Sequence, residues 1–161
     1  MISEDAITLV KALIQEAGCD GIYYCVQNAE TFRFTSEEYH KFVEPYDLKV
    51  LDYANSISKY NILHCCGWSG DKNRVEVWKN YKAAAVNLAV YVEDMDLNVG
   101  RDFFNTNCVL GGFDNRKNGV LYSGTLDEIK SETIKLINTA GKKVQYRGRI
   151  VRCRTILICY T

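Results

Sequence analysis

Short, continuously apolar runs spaced between helix-patterned stretches constrain this chain more than any other feature. Gly21-Ile-Tyr-Tyr-Cys-Val26 and Asn61-Ile-Leu-His-Cys-Cys66 carry no polar/apolar alternation. A strand that is apolar on both sides is the kind found in parallel sheets, where both faces are covered. The stretches between such runs repeat their apolar residues at helical spacing, as in Ile7, Val10, Leu13 and Ile14, or Val75, Trp78, Tyr81 and Ala85. Helices are predicted over about 3–17, 35–42, 47–58, 75–88, 98–104 and 125–139. The last would bury Leu126, Ile129, Ile134 and Ile137. Strands are predicted over 21–26, 61–66, 90–96 and 108–112, with a fifth after Gly141. Strand and helix in turn mean βα units and an α/β fold with a parallel sheet.

At 161 residues, 47% of them hydrophobic, the chain is sized for one domain with a substantial core. Twenty basic and twenty acidic residues cancel, so charge points to neither a nucleic-acid nor a membrane partner. No apolar run approaches the ~18 residues of a membrane span, and the N-terminus lacks a secretory pattern. Seven cysteines is an odd number, and Cys65 and Cys66 are adjacent within a predicted strand. Both facts suit a reduced, cytoplasmic protein better than a disulfide scaffold. A single proline, Pro45, is few for a whole domain of this length.

In βα architectures the site gathers at the carboxyl ends of the strands. That places candidate chemistry at 24–27, 64–68, 94–98 and 111–116. Residues two apart on a strand share a side, so His64 and Cys66 project together while Cys65 faces away. An imidazole beside a thiolate is a characteristic zinc ligand pair. The same spacing also fits a buried strand end with packed cysteines. A Cys–His nucleophile pair is a weaker fit, because no third group is at hand to orient the base. Asp94 and Asp96 share a face of the predicted third strand. They would hold a substrate ring nitrogen or exchange protons there, or simply sit solvated at a strand end. Tyr24 and Gln27 end the first strand as further pocket-lining candidates. His40, among charged neighbours on a helix, reads as a surface histidine.

The order of motifs resembles the uroporphyrinogen decarboxylase (URO-D) superfamily. The resemblance runs through Ala17-Gly-Cys-Asp-Gly-Ile-Tyr-Tyr, Phe34-Thr-Ser-Glu-Glu-Tyr, Phe42-Val-Glu-Pro-Tyr, Leu63-His-Cys-Cys-Gly, Leu110-Gly-Gly-Phe-Asp and Gly124-Thr-Leu-Asp-Glu-Ile. It covers roughly residues 5–143 and implies the C-terminal half of a (β/α)₈ barrel, hence a fragment of a longer parent. His64-x-Cys66-Gly67 is most similar to the zinc-dependent cobamide methyltransferase branch, in which the His and Cys of this motif ligate zinc beside a third cysteine from the last barrel strand. The resemblance then implies Zn²⁺ on His64 and Cys66, and a substrate pocket lined by Tyr24, Gln27, Asp94 and Asp96. It further implies a corrinoid or tetrapyrrole ligand and a corrinoid protein as partner. The parent reaction would be methyl transfer from a methylcobamide to a thiol, or the tetrapyrrole decarboxylation of the metal-free branch. A module that only binds tetrapyrroles or a partner is the non-catalytic counterpart, and the fragment itself is expected to be inactive. A half barrel would also leave sheet edges open to self-association.

The C-terminus departs from this pattern. From Val144 the chain reads Gln-Tyr-Arg-Gly-Arg-Ile-Val-Arg-Cys-Arg-Thr-Ile-Leu-Ile-Cys-Tyr-Thr, with half of the chain's arginines and no acid after Glu132. The related branch resembles Gly-Ala-Asp-Cys-Thr-Val-Pro here, and a two-base frame shift of this tail permits that motif. Residues 144–161 are therefore expected to be a frameshifted tail that has lost the third zinc ligand. The competing reading is a basic strand that touches nucleic acid.

Overall fold

The computed structural model describes residues 2–66, 70–114 and 116–141. Helix α1 (Ile2–Lys11) runs on through a wider turn at Ala12–Glu16 and ends before Gly18, which sits at positive φ. Strand β1 (Tyr23–Val26) follows, then α2 (Ser36–Phe42), α3 (Glu44–Ile57) and β2 (Ile62–Cys65). After a 3₁₀ turn at Val75–Trp78 come β3 (Ala85–Asn87), α4 (Val90–Glu93), α5 (Leu97–Phe104), β4 (Val109–Leu110), α6 (Val120–Ser123) and α7 (Leu126–Gly141). The expected fifth strand and the 144–161 tail fall outside the described residues, as does Gly67 of the His-Cys motif.

The four strands are all parallel and lie in chain order, β1-β2-β3-β4. Cys25 stands opposite His64, and His64 opposite Asn87; Asn87 stands opposite Leu110. Pairing in register gives each strand the same inward and outward alternation. Tyr24, Val26, Leu63, Cys65, Val86 and Val109 point to one side, where they pack with Tyr39, Leu51, Trp78, Tyr81 and Phe104 from the connections. Val10 and Ala54 close the same side near Ile22. Sequential parallel strands with α2, α3 and α5 packed on one face are compatible with the winding of a βα barrel. A doubly wound sheet instead reverses its strand order and covers both faces. The arrangement is an α/β fold compatible with part of such a barrel.

Local chemistry explains the helix starts. Thr35 accepts from the Glu38 amide while the Glu38 carboxylate accepts from the Thr35 amide, a complete capping box. Thr125 and Glu128 repeat the device ahead of α7. Asp96 caps α5, its Oδ1 accepting from the Asn98 and Val99 amides at 2.8 and 2.9 Å.

The third unit differs from expectation. The predicted 75–88 helix is only the 3₁₀ turn, and the third strand is Ala85–Asn87 rather than 90–96. The predicted strand segment contains α4 instead. Ala83 through Val92 is apolar but for Asn87, and either half can supply the strand. Packing decides: Trp78 and Tyr81 fill the space beneath the sheet, which lets the chain enter extended at Ala85. In α7, Leu126, Ile134 and Ile137 are exposed rather than buried.

Candidate functional site

The side of the sheet away from the helices carries Tyr23, Cys25, Ile62, His64, Asn87 and Leu110, with Cys66 and Cys108 in phase just beyond the strands. Ala85, opposite Ile62, belongs to the same face; Cys25 is exposed, Ala85 is buried and the others are half-buried. Asn87 organises this face. Its Nδ2 donates to the Leu110 carbonyl at 2.9 Å, which orients the amide so that Oδ1 accepts. Tyr23 OH and His64 Nδ1 both reach that oxygen at 2.6 Å. The Tyr23 ring also stacks on the imidazole, centroids 5.2 Å apart. His64 therefore carries its proton on Nδ1 and its lone pair on Nε2. Burial holds the His64 pKa below its usual value, with the Asn87 bond acting the other way, so the neutral, ligating form is favoured.

Cys66 lies on this face at the carboxyl end of β2, with Gln27 Nε2 at 3.8 Å from its sulfur. Burial pushes the Cys25 thiol up, and the neighbouring Cys66 adds to the effect. Gln27 and Cys66 meet at the carboxyl ends of β1 and β2, with His64 two residues earlier on β2. Among the described residues, no three His, Cys, Asp or Glu side chains gather closely enough to hold a metal ion.

Tyr24 is not part of this face. Strand parity turns it to the helix side, where its hydroxyl donates to Asp47 Oδ1 at 3.2 Å. The tyrosine on the site side is Tyr23. Asp94 and Asp96 are not strand residues either. Asp94 ends α4 in the left-handed conformation at φ 51° and pairs with Lys72 at 2.8 Å, which holds its carboxyl below the usual range. Both aspartates line a cavity of about 510 Å³ between α7 and the β3–α5 connection, with Val90, Met95, Leu97 and Leu136 as its apolar wall. Tyr91 OH donates to Glu132 at 2.5 Å at this cavity, and that bond pushes the Tyr91 pKa up to about 12. The predicted residues thus divide among the His64 face of the sheet, the buried helix side and this cavity. His40 is exposed, its Nδ1 at 2.7 Å from Glu44, in keeping with a surface role.

Two polar centres lay outside the sequence reading. Asp47 receives the Tyr24, Tyr39 and Tyr81 hydroxyls, and Tyr39 OH accepts from Trp78 Nε1 at 2.8 Å. Burial raises the Asp47 pKa against the lowering effect of these bonds. Its signal was its place at i in the buried stripe Asp47, Val50, Leu51 and Ala54. Asn87 was the second, a polar residue inside an apolar run.

Comparison of the chain with protein-family models, with curated proteins and with solved structures finds no match.

Proposed function

We propose that this chain is a half-barrel module of URO-D type whose parent activity is zinc-dependent methyl transfer from a methylcobamide to a thiol. The observation that carries this reading is the orientation of His64. Its Nδ1–H is held by Asn87, its Nε2 bears the lone pair, and Cys66 shares its face at the carboxyl end of β2. Ligating histidines are fixed in this way, by a hydrogen bond at the nitrogen that does not touch the metal.

The donor set suits zinc in kind, imidazole nitrogen and thiolate sulfur. It comprises two protein ligands, the third cysteine of the methyltransferase branch being the one expected to be lost from the tail, so water or the substrate thiol would complete the shell. Zinc, when bound, makes a substrate thiol a thiolate nucleophile at neutral pH. The chain's own part is to keep His64 neutral through burial and to place Gln27 where it donates toward the Cys66 sulfur. A corrinoid, free or on a partner protein, is the proposed methyl donor. The decarboxylase reading gives the His64–Cys66 pair no task.

Competition titration of the full chain against a zinc-binding dye tests this. Stoichiometric zinc is expected, weakened at least tenfold by His64→Ala and by Cys66→Ser. A chain that takes up no zinc, or whose zinc is unaffected by both substitutions, overturns the reading.

A further inference from the structure

We propose that Asn73 is a proton-driven switch: when Glu93 takes up a proton, the Asn73 amide turns over and bonds Glu30, fastening together the loops that follow β1, β2 and β3. Glu30 lies in the loop after β1, Asn73 in the loop after β2, and Glu93 ends α4 after β3. All three are buried, at 3%, 4% and 6% exposure. Buried polar atoms nearly always have partners, and one left without is costly.

Glu30 and Asn73 face each other across an antiparallel bridge. The bonds that make it run from the Thr31 amide to the Lys72 carbonyl at 3.0 Å and from the Arg74 amide to the Ala29 carbonyl at 2.8 Å. Both flank the pair rather than join it. Glu30 and Asn73 are therefore a non-hydrogen-bonded pair, the kind whose side chains stand closest. Asn73 also holds Glu93. Its backbone N–H donates to Glu93 Oε2 at 3.0 Å, and its Nδ2 donates to Oε1 at 2.6 Å. That leaves Asn73 Oδ1 and Glu30 Oε2, among the described residues, without a hydrogen bond. Arg33 Nε stands 2.9 Å from Glu30 Oε2 as an ion pair but makes no hydrogen bond there. Both stranded atoms are acceptors, so neither can serve the other.

One proton resolves both. The Asn73 backbone N–H occupies Glu93 Oε2, so the proton goes to Oε1 and makes it a donor. A half-turn of the amide about Cβ–Cγ brings Oδ1 to that O–H and swings Nδ2 round to Glu30. Oδ1 then accepts from Glu93, Nδ2 donates to Glu30 Oε2, and the backbone bond stays. The proton comes from solvent, and the amide itself neither gains nor loses one. Two buried carboxylates with one amide between them thus have one fully bonded arrangement, and it is the protonated one. Burial raises the Glu93 carboxyl; the two Asn73 bonds and Lys72 lower it, and Asp94 raises it. The other groups around it are Cys65 of β2, whose thiol burial raises with Glu93 adding to the effect, and, across Asn73, Glu30 with its partner Arg33. Gln27, which meets Cys66, begins the loop that carries Glu30, so proton uptake stiffens that segment. The switch stands apart from the zinc chemistry of the proposed function.

NMR of the isotope-labelled full chain, titrated from neutral pH downward, tests this. Above the Glu93 transition the Asn73 amide protons should show contacts to the Glu93 side chain, and below it to the Glu30 side chain, with one midpoint for both changes. Glu93→Gln supplies the donor at every pH, because the Asn73 backbone N–H claims the new amide's oxygen and leaves its nitrogen facing Asn73. That variant should hold the Asn73 amide on Glu30 at neutral pH and slow hydrogen exchange of the Thr31 and Arg74 amides about tenfold relative to the native chain. Glu30→Gln gives Asn73 Oδ1 a donor without a proton, so both changes should move together to lower pH. An Asn73 amide that keeps one neighbour through the Glu93 titration overturns the inference, as does a Glu93 carboxyl that stays ionised until the chain unfolds. So does a Glu93→Gln variant that matches the native chain at neutral pH, or an unmoved midpoint in Glu30→Gln. Failure here leaves zinc binding at His64 and Cys66 to stand or fall on its own titration.

Discussion

At the scale of single residues, two side chains hold more of this molecule together than their positions suggest. Asn87 joins three strands, through His64 on β2, Tyr23 on β1 and the Leu110 carbonyl on β4. Asn87→Leu keeps the volume but removes the acceptor, so His64 loses the bond that sets its tautomer. Zinc affinity should fall about 10- to 100-fold, the usual cost of losing such a support. The His64 pKa should drop further, since that bond is what opposes burial; NMR titration of the ring reads it. Asp47 is the second. Asp47→Ala leaves the hydroxyls of Tyr24, Tyr39 and Tyr81 without their shared acceptor, and a loss of about 2 kcal/mol is expected in urea denaturation. The zinc titration should not change, because Asp47 lies on the helix side. The His64–Cys66 spacing was a reading from strand parity alone. Which tyrosine faced His64 was not legible, because Tyr23 and Tyr24 are chemically alike and only the strand's phase separates them.

At the scale of elements, caps and glycines were readable because they act within a few residues. The capping boxes at Thr35 and Thr125 and the stop near Gly18 use nothing beyond their own turn. Gly111 is different, since its need is tertiary. It follows β4 at φ 156°, and a Cβ there would stand 2.8 Å from the Leu88 carbonyl oxygen. Gly111→Ala should cost about 2 kcal/mol, measured by chemical denaturation, from the conformation and the close approach together. The third strand was misplaced for a related reason. The stretch from Ala83 to Val92, apolar but for Asn87, offers two comparable strands, and local pattern does not choose between them. The choice falls to Trp78 and Tyr81, which need the space under the sheet that a continued helix would occupy.

At the scale of the whole molecule, buried titratable groups give stability an unusual pH dependence. Glu93 is buried, and burial raises its carboxyl pKa, as it does for Asp47. Acids raised in the folded state add stability below their unfolded values near 4, and this is lost as pH rises through the folded values. His64 works in the opposite sense along the pH axis. Its folded pKa is depressed, so its contribution is complete above about 6.5 and is lost as pH falls below that. Through His64 the urea midpoint should fall between pH 7 and 5.5 in the native chain, against the opposing trend of the raised acids, and His64→Gln should remove that fall. An equal slope in both proteins would deny His64 the role. The sequence by itself determined the class of fold, parallel strands joined by helices, and the shared direction of His64 and Cys66. Both follow from periodicity, which needs only neighbours along the chain. Tertiary structure alone decided which stretch became the third strand and that Tyr24 serves the core. It also parted Asp94 and Asp96 from the His64 face. Each of these depends on which distant residues compete for the same space, and that competition is settled only when the elements pack.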